Sequence, residues 1–162
     1  MRLLLVRHGK AEFGPEEADR HLSARGRADV EAVAEHLKTQ EITVGRVVHS
    51  TLSRARETAE ILAEKIAPGV QLEELPGIEP WGNVTAFAKL AEKWTEDTMV
   101  CGHEPFMGEA VSYLMAGNAH AGMVEVKTGT VMALAHNPYG DSWQMRWMLT
   151  PRLVRGPKRG ED

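Results

Sequence analysis

Two histidines and two arginines stand where this sequence can most readily build chemistry. The apolar run Leu3–Val6 ends on Arg7-His8-Gly9. A second short run, Arg46–Ser50, ends on His49-Ser50, and Arg54 follows in the first turn of the next segment. A third, Thr98–Gly102, leads into His103-Glu104-Pro105. Arginine presents a planar fork of donors that matches phosphate oxygens. Histidine serves as nucleophile, acid or base near neutral pH. If the three runs are strands of one sheet, these side chains converge on one edge. The N-termini of two helices begin at the same edge, and their free N–H groups favour an anion. The chemistry such a set can perform is phosphoryl transfer through a phosphohistidine.

Each piece also has an ordinary reading. An Arg-His pair at a strand end is usually an incidental polar terminus. His103 can be a helix-start residue bonded to backbone, and Arg54 a solvated helix residue like Arg56. The single cysteine, Cys101, is most simply a small buried strand residue; a thiol nucleophile activated by a neighbouring histidine is the weaker alternative. Metal binding by His8, His49 and His103 is opposed by the nearby arginines, which repel a cation, and no carboxylate–histidine spacing fits a metal motif. His21, His36, His120 and His136 have no comparable setting and read as surface or packing residues.

The elements that must position these residues alternate along the chain. Leu3–Val6 lacks a period, as a strand buried on both faces does. Ser23 can cap a helix to about Thr39, with Val30, Val33, Ala34 and Leu37 on one face. Arg46–Ser50 is a second strand, Thr51–Ile66 a helix, and Val70–Leu75 a third strand. Asn83 can cap a helix to about Trp94, and Thr98–Gly102 is a fourth strand. Pro105 suits the first turn of a helix to about Met115, with Gly117 past its end. Further strands are expected around Gly129 and around the Asn137–Asp141 turn, from residues 122–137 and 143–149. This order specifies an α/β domain with a largely parallel sheet and helices on both faces. Ligands of such sheets bind beyond the carboxyl ends of the strands, where Arg7 and His8 fall. Gly9 lets the chain turn sharply there.

The chain has 162 residues, 43% hydrophobic, with a net charge of −4. One domain over residues 1–150 is expected, with 151–162 as a C-terminal tail, read as a loose end or a docking segment. The charge gives no general affinity for nucleic acid. The lone cysteine fits a reducing cytoplasm. No segment is long and apolar enough for a membrane span, so a soluble protein is expected. Phe13–His21 is polar and acidic and reads as a surface loop.

The motifs "LVRHG", "HSTLSRARETAE" and "VCGHEP" together resemble the histidine phosphatase superfamily, most closely its small SixA-type phosphohistidine phosphatases. "DRHLSARG", "IEPWGNV" and "VKTGTVMAL" are similar to further segments of these small members, so the resemblance runs to about Leu149. It implies a phosphoglycerate mutase-like three-layer sandwich and no cofactor. It implies that His8 is the nucleophile, that Arg7 and Arg54 clamp the phosphoryl oxygens, and that His103 stabilises the developing charge. Gly9 and Arg20 join the phosphate-binding set, Arg20 with an equally good alternative as the partner of Asp19. Many superfamily members use a carboxylate acid after the third strand; Glu79 is the nearest candidate and Glu104 the second.

The expected function is therefore hydrolysis through a covalent phosphohistidine, foremost on phosphohistidine borne by a protein. The alternatives are a phosphomonoesterase for small esters or nucleotides and a non-catalytic phosphate-binding module. His8 must be neutral to attack while His103 is most useful protonated, so a bell-shaped pH–rate profile is expected.

Overall fold

The computed structural model describes residues 1–157; the last basic stretch of the expected tail, 158–162, lies outside the described residues. The strands are β1 Arg2–Arg7, β2 Arg46–His49, β3 Leu72–Glu74, β4 Thr98–Gly102, β5 Val131–His136 and β6 Trp143–Leu149. The helices are α1 Ala24–Thr39, α2 Ser53–Ile66, α3 Val84–Ala91, α4 Phe106–Ala116 and α5 Pro151–Arg155, with one 3₁₀ turn at Glu17–Asp19. One six-stranded sheet runs in the order β3-β2-β4-β1-β5-β6. The first four of these are mutually parallel, while β5 runs antiparallel to β1 and to β6.

The aperiodic apolar run of β1 follows from burial on both faces. Leu3 and Leu5 join Val48, Val100, Phe87, Phe106 and Leu114 under α3 and α4. Leu4 and Val6, one pleat over, join Val47, Met99, Val33, Leu37 and Leu62 under α1 and α2. Sheet and two helical layers make the three-layer sandwich that the resemblance implied. Leu3 and Leu5 are 0% exposed, so truncating either to alanine costs roughly 2–5 kcal/mol.

The expected helix caps are in place. Ser23 Oγ accepts from Gly26 N–H, Asn83 Oδ1 accepts from Ala86 N–H, and Gly117 ends α4 with φ 72°. Three boundaries are shorter than expected. α2 starts at Ser53 rather than Thr51, α3 ends at Ala91 rather than Trp94, and β3 keeps only Leu72–Glu74.

Two expectations are corrected. Residues 122–130 form no strand; this segment wraps the end of β1 instead. Gly129 N–H bonds the carbonyls of Arg7 and His8, and Val126 C=O accepts from Arg7 Nη1 at 2.7 Å. Residues 151–155 are not a loose end. They form α5, which docks on α1 through Arg155 Nε and Asp29 Oδ1 at 3.0 Å, and Pro151 lies so close to Gly129 that a Cβ there would come within 2.8 Å of it. No helix among the described residues is long and apolar enough to cross a membrane.

Candidate active site

Register places the chemistry. β2, β4 and β1 are adjacent, and their carboxyl ends are level: Arg7 pairs with Gly102 and His49 with Cys101. His8 N–H continues the ladder onto Gly102 C=O at 2.9 Å, and Ser50 N–H onto Cys101 C=O at 3.0 Å. His8 and His103 therefore meet, ring centroids 5.1 Å apart. Arg54, in the first turn of α2, reaches the same point, its Nε 3.3 Å from His8 Nε2.

The tautomer of His8 follows from its neighbours. Nδ1 lies 2.6 Å from the Gly9 carbonyl, which can only accept, so Nδ1 carries the proton and Nε2 the lone pair. Arg54 Nε–H pointing at Nε2 is consistent with that. Thr58 fixes the backbone that fixes His8: its Oγ1 accepts from Gly9 N–H at 3.0 Å and donates to Arg54 C=O at 2.7 Å. Gly9 thus has its N–H engaged by Thr58. The physical need for glycine is also different from a sharp turn. A Cβ on Gly9 would lie 2.7 Å from Val30 Cγ2, so the missing side chain lets α1 approach. Gly26 serves the same junction, where a Cβ would collide with the Lys10 carbonyl oxygen.

His103 Nε2 is hydrogen-bonded to Ser50 Oγ, which also accepts from Leu52 N–H. The Ser50 hydroxyl can donate to Nε2, and neutral His103 then carries its proton on Nδ1. That atom is buried and has no partner among the described residues, and Arg7 Nε shares this condition. Buried donors of this kind call for an acceptor.

Burial and like charge set the ionisation. His8 is pushed down to about 4, chiefly by burial, with Arg54, Arg7 and Arg20 adding to it against the opposing Gly9 carbonyl. Burial pushes His103 down to about 3, helped by His8 and the same three arginines. Both imidazoles are neutral at pH 7 in the free protein. The protonated His103 expected from the sequence is therefore not available until an anion lowers the local positive potential. Burial also lowers Arg7, against the attraction of Glu104.

A central sheet with this site at its carboxyl edge has relatives. The family model of the histidine phosphatase superfamily (branch 1) matches residues 3–83. The chain belongs to this family. As a histidine phosphatase superfamily member it is a phosphatase, a hydrolase. An uncharacterized protein of Picosynechococcus sp. is 30% identical over 152 residues, 84% of this chain and 90% of that protein. Phosphohistidine phosphatase SixA of Escherichia coli (strain K12) is 27% identical over 122 residues, 72% of this chain and 76% of that protein. A solved structure of the protein histidine phosphatase SixA complexed with tungstate has a TM-score of 0.82 at 23% identity, covering 95% of this chain and 99% of that one, a likeness of fold.

The remaining candidates in this histidine phosphatase fall into two groups. Arg20 lies close enough to oppose protonation of both histidines. Its side-chain partner is Glu17 Oε1 at 3.6 Å, not Asp19, and it also stacks over Phe13. Glu79 is bonded by Oγ1 of Thr51, the residue after Ser50, at 3.0 Å and by Gly77 N–H at 2.8 Å. Glu104 accepts from Gly108 N–H at 2.6 Å, and burial raises its carboxyl above the usual range. Cys101 is 0% exposed inside β4, and burial pushes its thiol up, so it is a packing residue. Among the described residues no three His, Cys, Asp or Glu side chains cluster as a metal ion would require.

Sequence reasoning missed Glu17, Ser50 in its bonding role, and Thr58. Thr58 was findable, since it lies one turn after Arg54 on the same helix face. Ser50 stood at a strand end but had no distinguishing pattern, and Glu17 is one acid in an acidic loop. Glu17 reaches Arg54 twice: Nη1 donates to its carbonyl at 2.9 Å and Nη2 to its Oε2 at 2.7 Å.

Proposed function

We propose that this histidine phosphatase removes phosphoryl groups from protein phosphohistidine through a covalent intermediate on His8. The observation that carries this reading is the fixed His8 tautomer, with Nε2 unprotonated and 3.3 Å from Arg54 Nε. In the first step the Nε2 lone pair bonds to phosphorus while the P–N bond to the substrate imidazole breaks. The electron pair of that bond stays on the leaving imidazole, which accepts a proton from solvent or departs already protonated. In the second step a water oxygen bonds to phosphorus, the P–Nε2 bond breaks with its pair returned to His8, and the water proton passes to solvent. Arg7 and Arg54 balance the phosphoryl oxygens, His103 Nδ1–H donates to the charge that develops, and Arg20 adds positive potential.

Two observations favour a P–N substrate. Both Glu79 oxygens are already engaged within the chain, accepting from Thr51 Oγ1 and Gly77 N–H. An imidazole leaving group needs no strong acid, whereas an ester oxygen does. Among the relatives, the one with 27% identity is named a phosphohistidine phosphatase. The second reading, a phosphomonoesterase, draws on Glu104, whose burial raises its carboxyl next to His103. The test is phosphate release from a phosphohistidine-bearing protein against an aryl phosphate, for the parent and for Glu104→Gln. The reading expects faster release from the protein and little effect of Glu104→Gln on it. Preference for the ester, lost in Glu104→Gln, would replace it with the second reading.

A further inference from the structure

The Arg54 guanidinium, which the proposed clamp needs for a phosphoryl group, is already holding an anion of the chain itself. Glu17 Oε2 lies 2.7 Å from Nη2, and its other oxygen, Oε1, is 3.6 Å from Arg20 Nη1. One carboxylate thereby offsets two of the cations that surround the histidines. The two partners are held very differently. The Arg54 side chain is 4% exposed and that of Glu17 is 54% exposed. The 3₁₀ turn Glu17–Asp19 buries no residue, Phe13 on the same loop is 96% exposed, and the loop is held by the Ala11–Leu22 bridge at its base and by Arg54 at Glu17. The Glu17 carboxylate is not needed to aim Arg54 either. Nε is directed at His8, and the Glu17 carbonyl takes Nη1 at 2.9 Å. What the carboxylate adds is charge, brought to the site on a turn that buries no residue.

We propose that Glu17 is a specificity-determining residue, an internal anion that competes with substrate for Arg54 and Arg20 and admits only a phosphoryl group strong enough to displace it. This rests on the reading of Arg54 as a phosphoryl clamp. A phosphoryl dianion beside Arg7, Arg54 and Arg20 outcompetes a single exposed carboxylate, whereas a monoanion gains little over it. Once displaced, Glu17 stays tethered at the rim. There it repels a second negative charge on the substrate, such as a carboxylate or another phosphate near the scissile bond. The substrate class it selects has one phosphoryl group on an otherwise neutral or cationic partner, which describes a phosphorylated imidazole on a protein and excludes nucleotides and acidic small esters.

The experiment measures competitive inhibition by inorganic phosphate and by vanadate on the full chain, with Glu17→Gln, Asp19→Asn as a neighbouring acid without this contact, and Arg54→Ala. Glu17→Gln is expected to tighten both inhibitors and lower KM by about threefold to fivefold, with kcat within about twofold, the scale of removing one partly exposed charge. It should also narrow the preference for phenyl phosphate over carboxyphenyl phosphate, while Asp19→Asn leaves both readouts at the parent value. Unchanged or weaker inhibition in Glu17→Gln, with Arg54→Ala still losing inhibitor binding, overturns the role of Glu17 and leaves the clamp standing. If Arg54→Ala also binds both inhibitors normally, the clamp reading itself fails.

Discussion

His8 and Glu17 approach the same guanidinium from two very different regions. His8 comes from the end of β1, in register with Gly102, with its ring held by the Gly9 carbonyl and its backbone by Thr58. Glu17 comes from a loop that contributes nothing to either hydrophobic cluster. The first region spends its hydrogen bonds on fixing atoms to within a narrow geometry, which is what covalent chemistry requires. The second contributes a charge at the surface, where position matters less and displacement is cheap. On the proposed reading, the comparison separates a group that reacts from a group that governs what reaches it.

The largest effect should come from the rigid region. His8→Ala should abolish turnover, and in the parent an acid-labile phosphoryl adduct should map to His8 after rapid quenching without acid. Near-normal turnover in His8→Ala would break the comparison at its root.

Next in size is the clamp. Arg54→Ala should lower kcat/KM by roughly 10²–10³-fold, as removal of one preorganised donor does. Arg56, two residues on, is exposed and pairs with the exposed Glu60 at 3.5 Å, so Arg56→Ala should be nearly silent. Equal losses in the two variants would show that helix position, not the contact with His8, matters.

Burial of two neutral imidazoles leaves a mark on stability. Both folded values, about 4 for His8 and about 3 for His103, lie below the ordinary histidine value near 6.5. As pH falls below 6.5 the unfolded chain binds protons before the folded one, so stability drops from there toward pH 4. The limiting slope is about 1.4 kcal/mol per pH unit for each proton. Denaturant midpoints measured from pH 7 to 4.5 should show this decline. His103→Gln should flatten it, and an unchanged slope would contradict the buried, neutral state.

The smallest effect concerns Glu79, bonded by Thr51 and Gly77 at the margin of the rigid region. Glu79→Gln should leave phosphohistidine turnover within a few-fold of the parent. A large uniform loss, in a protein whose thermal unfolding is unchanged, would make Glu79 part of the reacting set and move the substrate toward phosphate esters.

How much was legible in advance depended on whether a contact is local. Arg7, His8, Arg54 and His103 could be named because strand ends and first helical turns are visible as short-range patterns, and the rules of parallel sheets bring such ends together. Ser23, Asn83 and Gly117 could be named for the same reason, since a cap acts within one turn. The sequence by itself therefore determined most of the elements, their order and the residues available at the carboxyl edge. Only the tertiary structure decided that β2, β4 and β1 end level, that Thr58 locks Gly9, that Ser50 takes His103, that residues 122–130 wrap β1 rather than pairing with it, and that α5 docks on α1. It alone put Glu17 on Arg54, 37 positions away in the chain. Such contacts join segments whose separation leaves no periodicity, and which acid of an acidic loop meets a buried arginine depends on where the folded backbone carries it.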